Sequence, residues 1–184
     1  MHTHPRRLAL IDMGTNTFHL LIVEMPTTPG DKPLVLLRTK AGVRLGEDGI
    51  SRGEIAPPAY DRALHTLAGF KEEIELHDVT ETRATGTSAM RVTRNGQDLV
   101  RDIFEQTGIQ VDVIGGDREA ELICAGIRQA VPLGAEHHLL MDIGGGSVEF
   151  IIANETTIFW KQSFEIGAQR LLDQFFSDPG GVFP

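Results

Sequence analysis

The chain has 184 residues, a formal net charge of −9 and 41% hydrophobic residues, which leaves room for one medium domain or a small one with part of another. The acidic balance argues against a general nucleic-acid binder, which needs clustered cations, so no DNA partner is expected. A single cysteine, Cys124, excludes an intrachain disulfide framework, Met1–Arg7 is too short and polar for a signal peptide, and no apolar run would span a membrane. The expected setting is therefore cytoplasmic, with no membrane partner.

In chain order, Ala9–Glu24 (ALIDMGTNTFHLLIVE) reads as an apolar strand, a turn of Asp12, Gly14, Thr15, Asn16 and Thr17, and a second apolar strand. Met25–Lys32 is a Pro/Gly-rich turn and Leu34–Thr39 a third strand, giving an antiparallel start. Gly42–Arg52 is a glycine-punctuated loop whose Arg44 and Arg52 are available to an anion, or simply face solvent. Over Pro57–His77, Ala63, Leu67, Phe70 and Ile74 recur at helical spacing, with His65 and His77 left at the surface. Thr82–Thr85 reads as a short strand followed by a helical turn that Thr87 or Ser88 can cap. Backbone donors and Arg91 then stand at the C-terminal edge of a strand, where α/β folds bind anions. Asn95–Thr107 continues as helix and Ile109–Ile114 as strand.

Gly115–Val131 is a helix with Asp117 and Glu119 in its first turn, as the helix dipole alone would favour; Glu121 points to another face. Cys124 lies in its apolar run and suits packing better than reactivity. Pro132–His138 is a polar connector and the candidate boundary between units 1–131 and 132–184. Leu139–Ile152 (LLMDIGGGSVEFII) then repeats the first pattern: Asp142 falls on Asp12, Gly144 on Gly14, Ser147 on Thr17 and Glu149 on His19. A lone Gly144–Gly145–Gly146 suits a tight hairpin as well as an anion. Two matching strand–Asp-x-Gly–strand units instead suggest two half-sites facing one ligand, with backbone N–H groups turned to an anion. Thr156–Phe164 is a third strand, Gly167–Phe176 a helix, and SDPGGVFP a loop-like tail. The order is βββαβαβα, a connector helix, then βββα. The second unit is short, with an open sheet edge, and reads as part of a longer protein.

The segments DMGTNTFHLLIVE, TSAMRVTRN, GGDREAELICAGI, DIGGGSVEF and SFEIGAQRLL, in that order, resemble the exopolyphosphatase / guanosine pentaphosphate phosphohydrolase family along nearly the whole chain. The resemblance implies an α/β fold of the actin/hexokinase/Hsp70 (ribonuclease H-like) type, two domains around a cleft, with the two Asp-x-Gly hairpins as paired phosphate-binding loops. It implies hydrolysis of the terminal phosphate of inorganic polyphosphate, or of the 5′ γ-phosphate of pppGpp, with Mg²⁺, in a protein expected to be a homodimer at full length. Thr15 and Thr17 replace the family's usual serines and keep the hydroxyl. Glu119 matches the general-base position, and its alternative is a helix cap. Asp12, Asp142 and Glu149 are the expected metal or metal-water ligands, the alternative for Glu149 being an exposed strand carboxylate. Arg91 is expected to grip the terminal phosphate in two-pronged fashion. Amides of Gly14–Thr17 and Gly144–Ser147, with the Asn16 side chain, would cradle adjacent phosphates. A kinase of the same superfamily and a non-catalytic phosphate or nucleotide sensor are the alternatives.

Overall fold

The computed structural model describes residues 6–28 and 30–175. Strand β1 (Arg7–Met13) and strand β2 (Phe18–Glu24) alternate inward apolar and outward positions, the period that buries one face of a sheet. They pair antiparallel with Asp12 opposite His19, and β3 (Leu34–Ala41) adds to β2. On the other side β4 (Glu81–Gly86) and β5 (Val111–Val113) run parallel to β1, giving the order β3-β2-β1-β4-β5.

Helix α1 (Pro57–Leu76) starts on two prolines, whose missing N–H groups cost nothing in a first turn. Helix α3 (Gly96–Thr107) stops at Gly108, where φ of 71° gives the left-handed cap a side chain would resist. Both cover one face of the sheet: Leu67, Phe70, Leu99 and Ile103 meet Ile11, Met13, Leu20 and Ile22 in one buried core. Each such side chain contributes roughly 1.5–3 kcal/mol on burial.

Helix α4 (Gly116–Ala130) leads into β6 (His138–Ile143), β7 (Val148–Ala153) and β8 (Ile158–Phe164), an antiparallel sheet in sequence order, followed by α5 (Ala168–Phe175). Ala120 and Cys124 of α4 pack with Leu140, Ile151 and Ala153 in a second core. Helix α4 itself joins the two sheets, and its apolar face belongs to the second. Strand β8 begins two residues later than expected, because the Asn154 side chain accepts from the N–H groups of Thr156 (3.0 Å) and Thr157 (2.7 Å) and holds them in a turn. The short helix α2 (Ser88–Val92) lacks a side-chain cap: Thr87 Oγ1 reaches the Met13 carbonyl and Ser88 Oγ turns elsewhere. Phe176 and the tail expected over 177–184 lie outside the described residues.

Candidate active site

The two turns are near copies in three dimensions. The Gly14 N–H donates to the Thr17 carbonyl at 3.1 Å, and the Gly144 N–H to the Ser147 carbonyl at 3.0 Å. Asp12 faces His19 across its hairpin as Asp142 faces Glu149. Both turns line one cleft of about 320 Å³, together with Glu119.

Why the second turn needs three glycines follows from what touches it. A Cβ on Gly145 would meet the Asn16 amide at 2.8 Å, and one on Gly146 would collide with Ser88 Oγ and Thr15 Oγ1. Gly167 backs onto the same two glycines from behind. The turns therefore abut, and the glycines serve this contact as well as any anion. The carbonyls of Gly144, Gly145 and Gly146 accept from the N–H groups of Ala168, Gln169 and Gly167 at the start of α5. Carbonyl and N–H point opposite ways across a planar peptide unit, so the N–H groups of Gly145, Gly146 and Ser147 are directed away from α5. Thr15 Oγ1 and Asn16 Oδ1 are buried without a hydrogen-bond partner among the described residues. Such orphaned groups call for a further polar partner.

The Gly42–Arg52 loop supports the first turn through its backbone: the Arg44 N–H donates to the Asn16 carbonyl (2.8 Å) and the Gly46 N–H to the Thr15 carbonyl (3.2 Å). Its side chains are spent locally, Arg44 on Glu47 and Arg52 on Glu54, which matches the solvated-loop alternative for both arginines.

Glu119 lies in the first turn of α4, at the mouth between the hairpins. Burial, reinforced by the charges of Glu149 and Asp12, pushes its pKa up to about 7 against the opposing pull of Arg91. Asp12 is also raised, chiefly by the protein around its carboxylate; His19 lowers it and Asp142 raises it. Glu149 is not the exposed strand carboxylate of the alternative reading. It is 1% exposed, and Ser163 Oγ donates to its Oε1 at 2.7 Å.

Arg91 meets carboxylates where a phosphate was expected. Nη1 donates to Glu119 Oε2 (3.1 Å) and to the Ile114 carbonyl (2.9 Å), and Nη2 to Glu165 Oε1 (2.9 Å). Glu165 and Arg170, which ties back to the Gly146 carbonyl at 3.2 Å, are participants that sequence reasoning did not single out. Both lie in SFEIGAQRLL, but no local periodicity links them to an arginine more than 70 positions earlier.

Among the described residues no three His, Cys, Asp or Glu side chains converge on one point as a closed metal cage. Mg²⁺ does not require one: it keeps several waters and uses one or two carboxylates plus substrate oxygens. Asp12 and Asp142, which line the same cleft and repel each other, fit that donor set. Glu149 lines the same cleft, is 1% exposed and has one oxygen taken by Ser163, which suits support of a metal-bound water.

Known proteins resemble this chain in sequence and in fold. A curated relative, exopolyphosphatase 1 of Mycobacterium tuberculosis, is 31% identical over 172 residues, covering 94% of this chain and 49% of the relative. The crystal structure of an exopolyphosphatase from Cytophaga hutchinsonii superposes with a TM-score of 0.89 at 52% identity, over 93% of this chain and 54% of that one. The Ppx/GppA family member of Aquifex aeolicus matches with a TM-score of 0.75 at 22% identity, over 95% and 56% of the two chains, a likeness of fold. The chain spans about half the length of the curated relatives it matches, and its α/β units have the actin/hexokinase/Hsp70-like fold. The sequence profile of the Ppx/GppA phosphatase family matches residues 27–182. Because that profile covers most of the chain, including the second Asp-x-Gly turn and Glu119, the chain belongs to the Ppx/GppA phosphatase family.

Proposed function

We propose that the protein hydrolyses a terminal phosphoanhydride, releasing orthophosphate from inorganic polyphosphate or the 5′ γ-phosphate of pppGpp, with Glu119 as general base. The observation that carries this reading is the convergence of both turns and Glu119 on one cleft, with Glu119 poised near pH 7. Phosphoryl transfer asks a protein mainly for positioning and charge neutralisation. The N–H groups of Thr15–Thr17 and of Gly145–Ser147, with Thr15 Oγ1 and Asn16, would hold successive phosphates of the chain end. Glu119 Oε1, the oxygen not bonded to Arg91, would accept the proton of a water in line with the terminal phosphorus. Arg91 acts here through Glu119, fixing the carboxylate's orientation, rather than by gripping phosphate. Asp12 and Asp142 would hold Mg²⁺, with Glu149 behind them, and the ion would neutralise charge on the phosphate oxygens.

The test is release of orthophosphate from polyphosphate and from pppGpp, side by side, with Mg²⁺. The reading predicts release from at least one of them. A protein that binds either compound yet releases nothing is a sensing module instead, and ATP-dependent phosphorylation of an acceptor hydroxyl would mark a kinase.

A further inference from the structure

The arginine behind the general base is held from two sides, and the second holder belongs to the other unit of the molecule. Glu165 follows β8. Its Oε1 takes Arg91 Nη2 at 2.9 Å, while its Oε2 accepts from Ser88 Oγ at 2.6 Å and from Arg170 Nη2 at 2.9 Å. Arg170 continues to the Gly146 carbonyl. An unbroken chain of polar contacts thus runs from the second glycine turn through Arg170, Glu165 and Arg91 to Glu119. Two cations face two anions: the side chains of Arg91, Arg170 and Glu119 are 20%, 17% and 16% exposed and that of Glu165 is 37% exposed, so three of the four groups are held largely out of solvent.

A carboxylate ringed by a hydroxyl and two guanidinium groups also resembles an anion site filled by the protein itself. Two facts weigh against that. Ser88 is fully buried, and both guanidinium groups also hold protein oxygens other than Glu165, Arg91 those of Glu119 and Ile114 and Arg170 that of Gly146.

We propose that Glu165 is a positioning residue: it retains the outer amino group of Arg91 so that the inner one stays on Glu119, and it keys that alignment to the glycine turn of the second unit. This rests on Glu119 being the base. In a metal site or an active site, removing such an outer-shell partner typically costs about 10- to 100-fold.

The experiment compares wild type, E165Q, R91K and the double variant for phosphate release. Lysine carries the charge of Arg91 without its fork. The expected result is a fall in kcat of about 10- to 100-fold for E165Q with KM within about threefold and an unchanged melting curve. E165D restores part of the loss, and the double variant is no slower than the worse single one, because both act through one alignment. A kcat for E165Q within about twofold of wild type, or losses that multiply in the double variant, overturns the proposal. So does a KM that drops at constant kcat, which would make Glu165 a plug in an anion site. A second readout is independent of turnover: side-chain NMR of Arg91, identified by its loss in R91K, should show slow guanidinium rotation in wild type and fast rotation in E165Q. Equal rotation in both overturns the proposal. An inert wild type that still shows this contrast sinks the hydrolase reading and leaves the clasp intact.

Discussion

Glu119 is a carboxylate that the fold keeps protonated well above its ordinary range, and this has a consequence for stability. Its pKa rises from 4.5 unfolded to about 7 folded, mainly through burial. A raised acid binds its proton more tightly when folded, so the stability it contributes is complete below about pH 4.5 and is lost as pH climbs through 7. At 1.36 kcal/mol per unit the difference amounts to roughly 3 kcal/mol in the metal-free protein. E119Q, which never ionises, is expected to match wild type near pH 4.5 and to melt higher than wild type at pH 8, by thermal scans in EDTA. A gap that stays constant with pH would mean that Glu119 is not the strained group. The need for a carboxylate here was legible in the sequence only through the family resemblance. An acidic residue in a first helical turn is ordinary, and its raised pKa comes first from burial and then from Glu149 and Asp12, all set by parts of the chain far from it in sequence.

The elements that matter most are the two hairpins. Their existence was legible because strand, Asp-x-Gly turn and strand are local patterns, and the structure repeats them down to the matching N–H to carbonyl bonds of Gly14 and Gly144. That the turns touch was not legible, since it depends on how the two sheets meet. The glycines record the contact. G146A would drive a methyl into Ser88 and Thr15, and overpacking of this kind costs about 1–3 kcal/mol. G126A in α4 meets nothing within 4 Å and exchanges a poor helix former for a good one, a gain of about 0.5–1 kcal/mol. Denaturant melts should therefore move in opposite directions for the two variants, and only G146A should weaken orthophosphate binding. Similar shifts in both would show that the turns are not in register with each other. The helical cap expected of Thr87 or Ser88 is absent for the same reason: each hydroxyl has a distant partner, the Met13 carbonyl or Glu165, that a local pattern cannot anticipate.

At the scale of the whole molecule, each unit has its own core and the cleft lies where their turns meet. Asp12, Asp142, Glu149 and Glu119 all line that cleft, and on the proposed reading a divalent cation would offset their charge against a polyanion. Chelation with EDTA should abolish phosphate release and Mg²⁺ should restore it. D12N and D142N should each raise the Mg²⁺ concentration for half-maximal rate by about tenfold or more. Rates unchanged by chelation would remove the metal from the account. The central claim is that Glu119 readies water between the two turns, and the direct measurement is orthophosphate release by E119Q beside wild type, with substrate affinity measured on both. The account predicts a loss of about 10²- to 10⁴-fold in kcat with affinity nearly unchanged; a variant that goes on hydrolysing at close to the wild-type rate would contradict it.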